Sequence, residues 1–281
     1  MIDPAGAQQL ETLLRRHRIE LKHSLGQNFL VDPELRDVIA RAAGTTQADD
    51  VVEVGAGVGT LTIALAPLCR EVIAIEIDGG LIGALREVTA EHDNVRVVQA
   101  DILRFDLAAA FPSGGEVVTG NIPYNLTGAL VRRLLDSPRP PRRLALVVQQ
   151  EVAERWTAAS GASLATVAVQ VFSQPRIALH IPAHAFRPSP KVDSALVVLE
   201  VRHRPAIQVD DMNSFFRLVE AVFQSRRKQL GGTLGRLTAV GGPEAAHRLS
   251  RIGIEPSRRP QTLTLHEWEA IYTVFGASPA G

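Results

Sequence analysis

Residues 51–62 read Val-Val-Glu-Val-Gly-Ala-Gly-Val-Gly-Thr-Leu-Thr. A short β-rich run ends abruptly in three glycines at alternate positions. Glycine after a strand lets the backbone turn tightly into a helix and approach a ligand closely. Further β-rich runs follow at 71–78, 95–101, 116–121, 143–149, 166–172 and 194–201, with helical segments at 59–68, 79–91, 126–136 and 149–159 between most of them. Continuous apolar strands alternating with helices predict a parallel sheet covered on both faces. Runs 166–172 and 194–201 have no helix between them, so they are expected to form an antiparallel pair at one edge. Beyond the break near residues 202–211 the chain reads as wholly helical, at 211–228, 243–252 and 264–275. The expected fold is therefore α/β: a Rossmann-like, mostly parallel sheet with an antiparallel edge strand, plus a small all-helical C-terminal domain. Residues 1–204 form the first domain, opening with a basic helix over 8–22, and 205–281 form the second.

Composition narrows the function classes. The chain has 281 residues, ordinary apolar and charged fractions, and a formal net charge of zero. The sign of the charge is split, however. Residues 202–281 hold 11 Arg/Lys against 7 Asp/Glu, and residues 1–201 hold 19 against 23. Only Lys22, Lys191 and Lys228 are lysines, so nearly all cations carry the planar fork that suits phosphate. One cysteine, Cys69, permits neither an intrachain disulfide nor a cysteine-built zinc site, and no metal is expected. The N-terminus lacks a signal-peptide core, and no apolar run approaches the ~18 residues of a membrane span. The reading is a cytoplasmic protein with no membrane partner.

The glycine loop alone is weak evidence for a ligand. Its spacing is G-x-G-x-G, and Thr60 stands where the dinucleotide fingerprint needs its third glycine. There is also no G-x-x-x-x-G-K-S/T phosphate loop. The acids raise the odds. Glu53 lies just before Gly55 and Gly57, Glu76 ends the second run and Asp101 the third. Open parallel sheets bind ligands beyond the carboxyl ends of their strands. A carboxylate at Glu76 can accept from two ribose hydroxyls, and one at Asp101 from an adenine amino group. A nucleoside site without a phosphate cradle points to S-adenosyl-L-methionine rather than NAD or ATP, and the sheet then reads as that of a class I methyltransferase.

The next strand end carries Asn121-Ile122-Pro123-Tyr124. An exocyclic amine on a base is a poor nucleophile, because its lone pair is delocalised into the ring. Acceptors aimed at its N–H groups favour the pyramidal nitrogen of the transition state. The Asn121 side-chain oxygen and the Ile122 carbonyl can serve, Pro123 stiffens the turn, and Tyr124 offers a ring for an unstacked base. The methylated ammonium is acidic enough to need no strong base.

These residues and several others resemble the KsgA-type ribosomal RNA adenine dimethyltransferases. The resemblance rests on LGQNFLVD at 25–32, VVEVGAGVGTLT at 51–62, IEID at 75–78, NIPYN at 121–125, FRPSPKVDSAL at 186–196, QSRRKQL at 224–230 and GIEPSRRPQTLTLHE at 253–267, in family order. It implies dimethylation of N6 on two adjacent adenosines near the 3′ end of small-subunit rRNA, within a pre-ribosomal 30S-type particle, by a monomeric enzyme. It further implies that Asn28 and Leu30 border the cofactor, that Gly55 meets its amino-acid part, Glu76 its ribose and Asp101 its adenine. Asn121 would bridge cofactor and target amine, and Phe186 would stack the base opposite Tyr124. The chain departs from the family at Ala56, at Ser24-Leu25, over 161–170 and at Gly231-Gly232. The last two departures bear on RNA docking more than on cofactor binding.

Three basic clusters are candidate RNA contacts: Arg15, Arg16 and Lys22; Arg226, Arg227 and Lys228, read as lying on a helix that ends at the double glycine; and Arg258 with Arg259. Lys191 on the Phe186 loop is a further candidate. Such cations grip phosphates with strong salt dependence. The alternatives are a large-subunit adenine methyltransferase of the macrolide-resistance type and a non-catalytic assembly factor. The tail at 253–267 and the SRRK run favour the small-subunit enzyme over the first. Intact Asn121, Tyr124 and Asp101 weigh against the second.

Overall fold

The computed structural model describes residues 2–21, 27–111, 114–122 and 126–276. The chain divides into two compact units, 1–154 with 174–201, and 155–173 with 202–281. In chain order the elements are α1 (Ala7–Arg16), β1 (Phe29–Leu30), α2 (Pro33–Ala42), β2 (Asp50–Val54), α3 (Thr62–Leu65), β3 (Glu71–Glu76), α4 (Gly79–Thr89) and β4 (Val95–Gln99). There follow α5 (Leu107–Ala110), β5 (Val117–Asn121), α6 (Thr127–Leu135), β6 (Arg143–Gln149), α7 (Gln150–Thr157), α8 (Leu164–Phe172), β7 (Ser173–Ile181), β8 (Phe186–Arg187) and β9 (Ser194–Val201). The chain closes with α9 (Met212–Phe223), α10 (Leu230–Leu237), α11 (Gly242–Arg251) and α12 (Leu265–Phe275).

The first unit is built on a seven-stranded sheet of order β4-β3-β2-β5-β6-β9-β7. β2 pairs in parallel with β3 and β5, β3 with β4, and β5 with β6. β9 runs antiparallel to β6, from Arg143↔Glu200 to Gln149↔Ser194. Successive strands step outward from β2 to β4, and the chain then returns to place β5 on the other side of β2. That reversal opens a crevice at the carboxyl ends of β2 and β5. Gly120 lets the two strands converge there. Its φ is +149°, and a Cβ on it would lie 2.2 Å from the Val54 carbonyl oxygen.

Helix starts follow local chemistry. Asp32 caps α2 by accepting from Leu35 N at 2.9 Å, with Pro33 at the first position. Thr264 and Glu267 close a capping box on α12. α1 is shorter than the expected 8–22. It stops at Arg16, and Arg18 takes a left-handed φ of +54° that no helix can continue.

Residues 166–172 are helical, not a strand. Ser163 caps α8 by accepting from Thr166 N at 3.2 Å, and Val167, Ala168 and Val171 are buried in one cluster with Phe215, Val219 and Trp268 of α9 and α12. Phe172 stacks on Phe216 at 5.6 Å. The alternation of TVAVQVF mimics a strand, but helix–helix packing overrides it. The neighbour of β9 is instead β7, and residues 155–173 belong to the helical unit, so that unit is larger than 205–281. The double glycine also lies inside a helix rather than ending one. A Cβ on Gly231 would meet Pro256 at 3.2 Å, and one on Gly235 would meet the Gly241 backbone at 2.5 Å, so α10 needs these glycines to pack closely.

Candidate active site

The crevice at the strand ends is a cleft of about 250 Å³. Its floor is the glycine loop. Gly55, Gly57 and Gly59 have φ of +69°, +60° and +91°, and Gly55 N and Ala56 N both donate to the Ile75 carbonyl. A Cβ on Gly57 would press on the Phe29 ring at 3.2 Å, at a left-handed φ that side chains rarely adopt. Glu76 anchors the loop. One of its oxygens accepts from Gly57 N and the other from Asp78 N, each at 2.8 Å. Burial pushes its carboxyl up, and the backbone donors of Asp78, Gly57 and Ile77 oppose that rise without cancelling it.

Glu53 behaves differently. It is 2% exposed and accepts from Thr62 Oγ1 at 2.5 Å. Burial pushes its carboxyl up to about 8, with Glu76 adding to the rise and Thr62 opposing it. The folded protein therefore keeps a proton that the unfolded chain releases above its ordinary value of 4.5. Between those two limits, stability attributable to Glu53 falls as pH rises. Glu53→Gln removes the titration, so its urea midpoint should change less between pH 5 and 8 than that of the unsubstituted protein. Parallel profiles would contradict the buried, protonated Glu53.

Asp101 sits past the end of β4, where one oxygen accepts from Leu103 N at 2.9 Å and the other lies 3.8 Å from Arg104. Asn121 closes β5, and its Nδ2 donates to the Asn28 carbonyl at 2.8 Å. That bond occupies the donor end of the amide and makes Oδ1 the end available to accept. Ile122 is buried, and its N–H donates to the Val147 carbonyl at 3.2 Å, fixing the peptide next to Asn121. Leu30 and Phe186 pair across the β1–β8 ribbon and line the cleft together with Asn28. Phe186 is 1% exposed and belongs to the core around Ile39, Ile181 and Leu196, so it forms a wall that only a group inside the cleft can reach. Pro123 and Tyr124 lie outside the described residues.

The cleft also contains residues that the sequence reading missed. Gln27 Nε2 donates to Asp78 Oδ2 at 2.8 Å, and both flank the glycine loop. Ile77 and Ile102 line the cleft directly after the two strand-end acids, Glu76 and Asp101. An apolar residue following each acid was the available signal. Among the described lining residues there are three acids, of which Glu53 keeps its proton, and no cation, a pattern that suits a cationic ligand and opposes a phosphate-bearing one.

Comparison with known proteins settles the lineage. The family model for ribosomal RNA adenine dimethylase matches residues 18–274. The chain belongs to the ribosomal RNA adenine dimethylase family. Within it, the ribosomal RNA small subunit methyltransferase A of Pelotomaculum thermopropionicum is 40% identical, covering 98% of each chain, and that of Moorella thermoacetica is 40% identical over 92% of this chain and 94% of its own. Among solved structures, the 23S rRNA methyltransferase ErmE superposes with a TM-score of 0.69 at 28% identity, over 88% of this chain and 99% of its own. A dimethyladenosine transferase from Plasmodium falciparum gives 0.70 at 24% identity, over 88% and 97%, a likeness of fold.

For this dimethylase, the cations expected to meet RNA divide into two groups. Arg16 is ion-paired with Glu87 of α4, whose other oxygen lies 2.6 Å from His17 Nε2. Arg258 bonds both oxygens of Glu267 and donates to the Thr262 carbonyl at 2.6 Å. These two arginines are already engaged by carboxylates of the fold, although Arg16 is itself exposed and Arg258 half-buried. Arg15, Lys191, Arg226, Arg227, Lys228 and Arg259 are exposed. Residues 225–228 lie in the turn that follows α9, not on the helix, because Ser225 N and Arg226 N take i−3 carbonyls that tighten and end it. Lys22 lies outside the described residues.

Proposed function

We propose that the chain transfers methyl groups from S-adenosylmethionine to N6 of two adjacent adenosines near the 3′ end of small-subunit rRNA, acting on a pre-ribosomal 30S-type particle. The observation that carries this reading is the Asn121 amide, held by the Asn28 carbonyl so that Oδ1 is left to accept from a target amine beside an acid-lined nucleoside cleft. The residues present fit the cofactor. Glu76 would accept from the ribose hydroxyls and Asp101 from the adenine amino group, with Ile77 and Ile102 supplying apolar contact. Gly55 and Gly57 would give the amino-acid part close backbone approach. When bound, S-adenosylmethionine supplies an electrophilic methyl group, its sulfonium departing as a neutral thioether. In the first transfer Asn121 Oδ1 and the Ile122 carbonyl would accept from the two N–H groups of N6, and in the second one of them from the single remaining N–H, which draws the lone pair out of the ring and aims it. The proton shed afterwards goes to water, since an arylammonium needs no dedicated base.

Phe186 and Tyr124 would sandwich the extruded base, the former from the cleft wall. Arg226, Arg227, Lys228, Arg259, Lys191 and Arg15 would hold the RNA backbone. Arg226→Glu combined with Arg227→Glu is expected to weaken small-subunit RNA binding by about tenfold or more and to lower the salt slope by about two. Unchanged affinity and slope would remove these residues from the interface. The substrate is tested by offering labelled S-adenosylmethionine with under-methylated small and large subunits separately and mapping the modified nucleotides. Dimethyladenosine at adjacent small-subunit sites is expected. Label confined to large-subunit RNA would assign the chain to the activity named for ErmE. A cytoplasmic, monomeric enzyme is part of the same proposal. No described helix is long and apolar enough to cross a membrane.

A further inference from the structure

Gln27 occupies a place that the proposed chemistry does not yet use. Its Nε2 donates to Asp78 Oδ2 at 2.8 Å. Asp78 is 5% exposed, caps α4 through Gly80 N at 3.0 Å, and gives its own N–H to Glu76 at 2.8 Å. One residue further along, the Asn28 carbonyl accepts from Asn121 Nδ2 at 2.8 Å. Past that, Phe29 and Leu30 are held by the ribbon with Arg187 and Phe186, and Val31 N donates to the Ala185 carbonyl at 2.8 Å. The segment 27–31 thus crosses the cleft from the end of β3 to the end of β5. It is pinned at Asp78 on one side and by β8 on the other, with the Asn28 carbonyl between the pins.

We infer that Gln27 is a positioning residue for methyl transfer: by tying the segment to Asp78 it fixes the Asn28 carbonyl, and through that carbonyl the orientation of the Asn121 amide. An amide has two nearly isosteric ends, and only its donor end can bond a carbonyl. The Asn28 oxygen therefore selects which end faces the target, and its placement sets the angle at which Oδ1 meets N6. Without the Gln27 bond, the peptide carrying that oxygen loses its tie to Asp78 and the end of β3. A loosening of about 1 Å at such a point costs rate far more than affinity. The same link runs from Asp78 to Glu76, so the cofactor's ribose site and the target-amine site share one pin. This inference rests on the proposed adenine-N6 chemistry.

The test is single-turnover methylation of under-methylated small subunits at saturating S-adenosylmethionine, with cofactor affinity measured separately. Gln27→Ala is expected to lower the rate roughly tenfold or more, with the cofactor Kd moving less than about threefold. Gln27→Glu, which sets two carboxylates against each other, should be at least as slow. Adding Asp78→Asn to Gln27→Glu restores a donor–acceptor pair and the α4 cap, and should recover most of the rate. An unchanged rate in Gln27→Ala, a Kd that rises while the saturated rate holds, or no recovery in the double variant would each overturn the inference. The Asn121 side-chain amide resonance of 15N-labelled protein, identified by its loss in Asn121→Ala, gives a second readout that needs no activity. It should shift in Gln27→Ala, and an unmoved resonance counts against the link. If the unsubstituted protein leaves small-subunit RNA unmethylated, the functional proposal fails, while this resonance still decides whether Gln27 sets the amide.

Discussion

Asn121→Ala is expected to lower methyl transfer by roughly 10²–10³-fold, with cofactor binding reduced far less and RNA binding retained. The expectation follows from what the amide does in the fold. Its Nδ2 bond to Asn28 is one neutral hydrogen bond of about 1 kcal/mol, so its loss should leave the protein folded. In the proposed reaction its Oδ1 accepts from a nitrogen that changes geometry, and that interaction would be stronger in the transition state than in the ground state. The loss should therefore appear in the rate at saturating substrate rather than in KM. Asn121→Asp is a sharper comparison. It keeps an acceptor but has no N–H for the Asn28 carbonyl, and sets two acceptors face to face. If Asn121→Asp matched the unsubstituted enzyme, the orientation of the amide would be irrelevant to turnover.

Gly120→Ala is expected to have the largest effect on stability. The methyl carbon would sit 2.2 Å from the Val54 carbonyl oxygen and 3.0 Å from its nitrogen, at a φ of +149° that a side chain rarely adopts. Neither neighbour can retreat easily. β2 is paired with β3 on its other edge through Val54↔Ile75, and Val51 and Val52 are fully buried. A clash against backbone together with backbone strain belongs to the costliest class of substitution, about 4 kcal/mol or more, a large share of the 5–15 kcal/mol that holds a typical domain. Urea unfolding should show a collapsed midpoint or no folded protein. Relief by spreading β2 from β5 would displace Asn121, the next residue, so any folded fraction should also be slow. A variant with ordinary stability and turnover would show that the strands do not need to converge here.

Both effects bear on how the site can be read from sequence. The parallel strands of the sheet were legible because, once buried, they leave short β-rich runs, and the acids at 53, 76 and 101 fall at or near where those runs end. The alternation at 166–172 misled because a helix buried among α9 and α12 needs apolar residues almost all round, and period two is then indistinguishable from period 3.6. α10 was missed because Gly231 and Gly232 look like a stop, although Gly231 is the residue that lets the helix meet Pro256. Asp101 and Asn121 could be assigned to the cleft because one lies just past a strand end and the other closes a strand. Gln27 could not be assigned to Asp78, since its partner lies 51 residues away and no local pattern encodes that bond. The ion pairs of Arg16 with Glu87 and of Arg258 with Glu267 were hidden for the same reason, because a basic run shows charge but not which carboxylates lie beside it.

The central claim is a matter of position: the methyl donor lies across the ends of β2, β3 and β4, with its reactive carbon turned toward Asn121. A crystal structure of the protein soaked with S-adenosylmethionine tests it most directly. The ribose hydroxyls should lie within hydrogen-bond distance of Glu76, the adenine amino group should face Asp101, and the methyl group should open toward Asn121 Oδ1. A donor seated elsewhere, or one whose methyl is walled off from Asn121, would contradict the account.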